Sequence, residues 1–400
     1  MVVRPKIRGF ICTTAHPEGC AKYVMQWIDY VKKKSYLSEG PKKVLVIGAS
    51  TGFGLASRIV SALGAGAQTI GVFFEKQPIS GKRTASAGWY NTAAFEKIAY
   101  DEGLYAKSIN GDAFSKAIKQ KAVDLIKNDW QGDVDLVIYS IASPRRIHPK
   151  NGRIFNAVLK PIGQPYCNKT VNVMTGEVSE IFIESANEKE IKDTETVMGG
   201  EDWVLWIDAL LKNNCLAKGV KTVAFTYIGP KLTHAIYRNG TIGRAKLHLE
   251  KTAKKLDIQL KSKLDGRALI SVNKALVTQA SAAIPVVPLY VTLLYKIMKR
   301  KNIHEGCIEQ IWRLFSERLY HNYEIPTDSE GRIRIDDWEM RDDVQKAVER
   351  LWNLIGNDNI EIISDIADYR REFYHLFGFD LSGIDYKKEV DINIAIPSIR

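Results

Sequence analysis

Cysteine is scarce and unpatterned in this chain. The five residues, Cys12, Cys20, Cys167, Cys215 and Cys307, are odd in number, scattered and free of any C-x-x-C pair. That excludes a disulfide framework and a four-ligand zinc site, and it fits a reducing compartment in which such residues pack as small hydrophobes. His16 and Cys20 could share a metal, but two ligands without a second pair do not make a site. A hydrophobic signal core is also missing from the opening Met-Val-Val-Arg-Pro-Lys, so export is not expected. There is no RNA-binding signature, zinc-finger spacing, long basic tract, internal repeat or flexible linker. Nucleic acid is therefore not the expected partner, although Lys+Arg 57 against Asp+Glu 46 leaves a net charge of +11. Such a surplus also suits a polyanionic small molecule or an acidic carrier protein.

Charge is absent from one long stretch, between Lys274 and Lys296, which is long enough to cross a bilayer. Gln279, Ser281, Pro285 and Pro288 interrupt it, and interior prolines remove helical hydrogen bonds. A turn followed by an apolar, pocket-lining helix is expected there, not a membrane span. With 400 residues and 45% hydrophobic content, the chain can bury a sizeable core as one large or two moderate domains.

What is present is organised around Lys43-Val-Leu-Val-Ile-Gly-Ala-Ser-Thr-Gly-Phe-Gly-Leu-Ala-Ser-Arg58. Residues 44–47 are an unbroken aliphatic run, the pattern of a strand buried on both faces. Gly48, Gly52 and Gly54 break it, and Leu55, Ile59 and Leu63 resume at helical spacing. Strand, glycine turn and helix bring free backbone N–H groups and the helix dipole to a phosphate, and glycine lets the backbone approach it closely. This predicts a dinucleotide site. Gly48-Ala-Ser-Thr-Gly52 also matches the G-x-S-x-G nucleophile elbow, but too few strands precede it for a hydrolase sheet.

Further elements follow in order. Extended residues 9–13 could add a strand or flap beside the main sheet, and a helix is expected over 20–34. Later strands are expected at 69–75, 106–109, 136–142, 220–228 and 268–272. Helices are expected over 87–101, 115–129, 203–211 and 241–261, the last with Thr241 as a possible N-cap. Residues 148–198 loosen into short strands and turns, like an insertion over one end of the sheet. The remainder is mostly helical, broken at 331–335. Alternating β and α elements through residue 272 predict an α/β fold with a doubly wound parallel sheet. We read residues 1–400 as one elaborated domain: a flap and helix (1–40), a first nucleotide-binding half (41–147), the insertion (148–200), a catalytic half (201–300) and a helical region packed on the same body (301–400).

Glu75 ends the second strand, where an acid meets the adenosine ribose. A carboxylate there accepts from ribose hydroxyls and repels a 2′-phosphate, so NADH is expected over NADPH, with Lys76 softening the preference. Asp112 and Ala113 follow the third strand, and Ser140 and Ile141 end the fourth. All point to the crevice at the carboxyl ends of the strands. Tyr237 and Lys246 would lie about 13 Å apart on opposite faces of a single helix. Asn239-Gly240 argues against a continuous helix, and with Tyr237 in the loop entering it the two side chains can converge.

Short-chain dehydrogenases place this Tyr and Lys four apart, and the commoner enoyl reductases seven apart. The wider Tyr237-x8-Lys246 resembles the FabV-type trans-2-enoyl reductases, NADH enzymes acting on enoyl-acyl-carrier-protein or enoyl-CoA. Gly48-Ala-Ser-Thr-Gly-Phe-Gly54, Ala87-Gly-Trp-Tyr-Asn91, Ser143-Pro-Arg-Arg146, Met198-Gly-Gly-Glu-Asp-Trp203 and Leu276-Val-Thr-Gln-Ala-Ser-Ala-Ala-Ile-Pro285 carry the same resemblance. It runs nearly end to end, from His16-Pro17 to Gly378-Phe-Asp380.

The resemblance implies a Rossmann, short-chain-dehydrogenase-like fold, a monomer, a cytoplasmic location and a place in fatty acid biosynthesis. It implies Tyr237 as proton donor, Lys246 as a catalytic and cofactor-binding lysine, and Tyr227 as a substrate-contacting hydroxyl. NADH contacts are implied at Gly48, Ala49, Ser50, Thr51, Gly52 and Phe53, at Phe74 and Glu75, at Asp112, Ala113, Ser140 and Ile141, and at Leu276, Val277 and Thr278. No metal is needed. A late region of this family is sometimes labelled flavin-binding, but no residue pattern here requires a flavin. Hydride transfer to C3 of an enoyl thioester would build negative charge on the thioester oxygen, which a tyrosine hydroxyl can stabilise. A nearby Lys246 would lower that tyrosine's pKa. Arg145 and Arg146, near the crevice, would suit CoA phosphates or an acidic carrier protein. The rivals are a short-chain dehydrogenase acting on a ketone or alcohol, and a non-catalytic NAD(H)-binding protein.

Overall fold

Aliphatic runs too hydrophobic to face water on either side form the middle of the molecule. The computed structural model describes residues 1–321 and 324–399. Its central sheet has seven strands: β1 (Lys43–Ile47), β2 (Gln68–Phe73), β3 (Ala106–Asn110), β4 (Val134–Tyr139), β5 (Leu216–Thr226), β6 (Arg267–Val272) and β7 (Arg332–Arg334). They lie in the order β7-β6-β5-β4-β1-β2-β3, and every pairing is parallel. The chain runs outward from β1 to β3 and then crosses back to β4. That reversal leaves a crevice beyond the carboxyl ends of β1 and β4, where open α/β sheets bind ligands.

Strand periodicity sorts β1 between two cores. Val44 and Val46 face one, and Leu45 and Ile47 face the other, all fully buried. The helices Pro17–Lys32, Gly52–Ile59, Ala87–Asp101 and Cys307–Leu314 cover the first face. Lys116–Trp130, Glu201–Lys212 and Thr241–Leu264 cover the second. Two buried faces explain why the strands read as continuous apolar runs instead of alternating.

Several expectations are corrected. The edge strand β7 sits at the break seen at 331–335, so the late region extends the sheet instead of only packing on it. Residues 9–13 join no main-sheet edge, because Ile11–Cys12 pairs only with Ile7–Arg8 in a separate hairpin. The first helix starts at Pro17, where His16 Nδ1 accepts the Gly19 N–H and acts as a helix cap. Gly240, not Thr241, is the N-cap of the long helix; Thr241 Oγ1 is tied to residues 158 and 160 instead. The region expected to be loose holds one hairpin that starts before it, Arg145–Ile147 with Ile154–Asn156, a second, Tyr166–Asn172 with Glu177–Ile183, and also a helix, Glu188–Met198, opened by an Asn187–Glu190 capping box. Cys12, Cys20, Cys215 and Cys307 are buried, whereas Cys167 is exposed.

The uncharged stretch forms a short turn and then the helix Val287–Arg300. No helix among the described residues is long and apolar enough to cross a membrane. Val286 enters that helix at φ +70°, with the Val287 N–H donating to the Pro285 carbonyl at 2.8 Å. A β-branched residue in this tight turn stores roughly 1–3 kcal/mol of strain, which the fully buried Val286 and Leu289 packing must overcome.

Candidate active site

The glycine turn is built from backbone contacts that leave no space for side chains. Gly48 has φ +91°, and a Cβ there would lie 2.1 Å from the Ser140 carbonyl oxygen. The N–H groups of Gly48 and Ala49 both donate to the Val72 carbonyl, at 2.8 and 3.1 Å, which locks the turn onto β2. A Cβ on Gly54 would lie 1.8 Å from the Gly48 carbonyl oxygen, so the helix meets the strand end only through glycine. Gly52 is different. At φ +53° its only neighbour is a Thr278 methyl at 4.0 Å, so the space before the helix N-terminus is open. Thr51 makes no side-chain cap there. A helix start with uncapped N–H groups facing open space fits a pyrophosphate.

Other expected cofactor residues surround that space. Ser50 Oγ donates to Glu75 Oε1 at 2.6 Å, so its partner is a carboxylate and not a histidine base, which removes the nucleophile-elbow reading. Asn91, in the motif that starts the helix Ala87–Asp101, donates to the Ser50 carbonyl at 3.2 Å. Burial raises the Glu75 pKa, and hydrogen bonds from Ser50 and Ser86 oppose the shift. One carboxylate oxygen stays free of Ser50, and Phe74 beside it is 77% exposed. Asn110 clamps the Glu75 backbone through two hydrogen bonds of 2.8 and 3.0 Å. Ser140 is joined to β1 through its N–H to the Ile47 carbonyl at 2.8 Å. Leu276, Val277 and Thr278 reach the same crevice through the contact of Thr278 with Gly52. Val277 is held by the Tyr295 hydroxyl at 3.0 Å.

The Asp112–Ala113 turn is fixed from below by residues that sequence reasoning missed. The Ala113 carbonyl accepts from Lys119 Nζ at 2.7 Å and from the Trp206 indole at 3.1 Å. Lys119 is also paired with the buried Asp202, which accepts from Tyr139 as well. These contacts give the Met198–Trp203 motif a job. Asp202 braces the Asp112–Ala113 turn through Lys119, and Glu201 holds Arg146 and His148 at 2.8 and 3.1 Å. Arg146 is consequently 1% exposed and committed to Glu201, so it cannot serve a substrate phosphate; Arg145 alone is exposed.

Tyr237 and Lys246 both lie at the carboxyl end of β5. Tyr237 lies in the turn between Lys231–His234 and Thr241–Leu264 and packs edge-on against Tyr227, ring centroids 4.9 Å apart. Its hydroxyl has no hydrogen-bond partner among the described residues. Lys246 Nζ donates to the Phe225 carbonyl at 3.1 Å, and Phe225 packs at a tilt against Phe53, ring centroids 5.6 Å apart. The expectation that Lys246 acidifies the tyrosine is not met. Burial alone pushes the Tyr237 phenol up, and burial pulls Lys246 down to about 8 with Glu250 opposing. Tyr227 donates to Glu339 Oε1 at 2.9 Å.

This arrangement pairs a phosphate cradle with a phenol free to meet a ligand, and its relatives share the whole chain. A family model described as the trans-2-enoyl-CoA reductase catalytic region matches residues 83–320. The NAD(P)H binding domain of trans-2-enoyl-CoA reductase matches residues 2–80. The chain belongs to the trans-2-enoyl-CoA reductase family. An enoyl-[acyl-carrier-protein] reductase [NADH] of Coxiella burnetii is 75% identical over 399 residues, covering 100% of this chain and 98% of that protein. A trans-2-enoyl-CoA reductase [NADH] of Ruminiclostridium cellulolyticum is 58% identical, covering 100% of both. The crystal structure of the Clostridium acetobutulicum trans-2-enoyl-CoA reductase in complex with NADH superimposes with a TM-score of 0.96 at 45% identity, covering 100% of both chains. The Treponema denticola enzyme in complex with NAD gives 0.94 at 48% identity, again over 100% of both. The family fold is thus the Rossmann-like sheet described above.

A third family model, the enoyl reductase FAD binding domain, matches residues 327–390. The residues there do not fit a flavin dinucleotide. After β7 the N–H groups of Ile335 and Asp336 both go to the Val272 carbonyl, at 2.9 and 3.1 Å, so these two donors are already taken. Asp336 and Asp337 place carboxylates where a pyrophosphate would need positive charge or N–H groups. The nearby arginines are committed, Arg332 to Asp328, Arg334 to Asp336 and Arg341 to Asp343.

Proposed function

We propose that this chain uses NADH to reduce the 2,3-double bond of trans-2-enoyl thioesters to saturated acyl thioesters in fatty acid biosynthesis. The observation that carries the reading is Tyr237, a largely buried residue set against Tyr227 at the end of β5, whose hydroxyl has no hydrogen-bond partner among the described residues. When bound, NADH supplies the hydride that adds to C3. The chain's own residues do the rest. Gly48 to Phe53 hold the pyrophosphate, Phe74 and Glu75 the adenosine ribose, and Asp112 and Ala113 the adenine. Ser140, Ile141, Lys246 and Leu276 to Thr278 hold the nicotinamide end. As hydride arrives, electrons move from the C2–C3 π bond toward the thioester carbonyl, and its oxygen becomes anionic. A tyrosine whose pKa burial has raised keeps its proton through neutral pH and donates a hydrogen bond to that oxygen. Collapse of the enolate with protonation at C2 completes the reduction, Tyr237 being the proton source on this wall.

Lys246 then serves the ribose rather than the tyrosine. The thioester carrier is CoA or an acidic acyl carrier protein, with the exposed Arg145, five residues after Ser140, as its contact. We read the enzyme as a cytoplasmic monomer that uses no metal. The test is NADH oxidation with crotonyl-CoA beside a 3-ketoacyl thioester. Turnover on the enoyl substrate alone is expected; activity on the ketoacyl substrate alone would replace this reading with a carbonyl-reducing dehydrogenase. NADH binding without turnover on either would mark a binding protein.

A further inference from the structure

Glu339 is 0% exposed and comes from the segment that follows β7. Its Oε1 accepts from the Tyr227 hydroxyl at 2.9 Å and from the Tyr290 hydroxyl at 2.7 Å. Its Oε2 accepts the Ala275 N–H at 2.7 Å. One carboxylate therefore ties together three separate walls. Tyr227 directly follows β5, Ala275 directly precedes the Leu276–Thr278 cofactor loop, and Tyr290 lies in the helix Val287–Arg300. Gln345 braces the same knot, donating to the Glu339 carbonyl at 2.7 Å and to the Tyr290 hydroxyl at 3.1 Å. Burial pushes the Glu339 carboxyl up, with Lys274 and the hydrogen bonds from Tyr290 and the Ala275 N–H opposing and Asp336 adding to the shift.

Both tyrosine hydroxyls donate to Glu339 Oε1, so each commits its single O–H there. Tyr227 then presents only lone pairs toward Tyr237, whose ring lies against it, and Tyr237 is left as the donor on that wall. We infer that Glu339 is a positioning residue for enoyl reduction, fixing the Tyr227 hydroxyl, and that the segment after β7 completes the reductase site instead of holding a flavin. The inference rests on the assignment of Tyr227 to the substrate wall.

The test is a double-mutant cycle on the full chain, using Glu339→Gln, Tyr227→Phe and the pair. Crotonyl-CoA-dependent NADH oxidation gives kcat and KM, and fluorescence titration gives the NADH Kd. Glu339→Gln keeps the shape but sets an amide NH2 against either the Ala275 N–H or the two hydroxyls. Each single change should lower kcat about tenfold, the worth of one hydrogen bond to a charged group, with NADH Kd held within about twofold. The double variant should be no worse than the weaker single one, since both changes remove the same contact. Additive losses, or a Glu339→Gln enzyme of full activity beside an impaired Tyr227→Phe, would overturn the inference alone. Full activity of Tyr227→Phe would remove the Tyr227 assignment, and the inference with it. Loss of NADH binding together with turnover in Glu339→Gln would reduce the residue to a structural brace and also overturn it. If that variant does not fold, Tyr290→Phe takes its place. A lowered kcat at unchanged NADH Kd is then expected, and an unchanged kcat refutes the positioning role.

Discussion

Gly88→Ala puts one methyl group where the cofactor site has no room for it. Gly88 lies in the first turn of the helix Ala87–Asp101 with an ordinary helical backbone, so alanine is conformationally acceptable there. The added Cβ, however, would lie 2.1 Å from Glu75 Oε1, 2.5 Å from Glu75 Cδ and 2.7 Å from Ser50 Cβ. The carboxylate must swing away, and its 2.6 Å hydrogen bond from Ser50 breaks. A hydrogen bond to a charged group contributes about 1.5–3 kcal/mol, and the partial exposure of Glu75 argues for the lower end. Alanine over glycine in a helix returns about 1 kcal/mol, so the net destabilisation should be only about 0.5 kcal/mol. The functional effect should be larger. With Glu75 displaced, the ribose contact goes, and the NADH Kd should rise about tenfold, equivalent to about 1.4 kcal/mol. NADPH binding, which Glu75 opposes, should change less, so the preference narrows. Urea unfolding and fluorescence titration with both nucleotides measure the two effects. A variant that binds NADH as tightly as the parent, with the same preference, would refute this geometry.

Glu75→Ala should narrow the NADH–NADPH gap without the clash, and an unaltered ratio in kcat/KM would count against the ribose contact. Lys246 is pulled down to about 8, so it carries its proton below that pH and loses it above. NADH affinity of the free enzyme should therefore weaken as pH rises through about 8, and Lys246→Met should abolish the dependence. A pH-independent Kd in the parent enzyme would remove the lysine from the cofactor site. Arg145→Glu should raise the KM for CoA or carrier-protein substrates with kcat preserved; no change in KM would leave the exposed arginine without a part in carrier binding.

The nucleotide half of the fold was legible because its signals are local. A buried strand, three glycines and a terminal acid occupy adjacent stretches, and β1 and β2 carry them to the crevice. The turn before Thr241 was legible too, since Asn239-Gly240 breaks any continuous helix. Glu339 was not legible. Its partners Tyr227, Ala275 and Tyr290 are distant in sequence, and a lone acid in a helical region carries no pattern of its own. Arg146 looked like a charge at the mouth because sequence shows the residue but not that Glu201, in a separate motif, pulls it inward. β7 was hidden by its shortness: a three-residue edge strand cannot show a period. Lys246 and Tyr237 illustrate a further limit, because convergence on one site does not imply the close contact that acidification needs.

Tyr237→Phe tests the central claim most directly, because it removes one hydroxyl and leaves the ring against Tyr227. Turnover of crotonyl-CoA should fall about a hundredfold or more, as expected for loss of a general acid, while NADH Kd stays within about twofold. Turnover preserved at the parent rate, with NADH bound normally, would contradict the account.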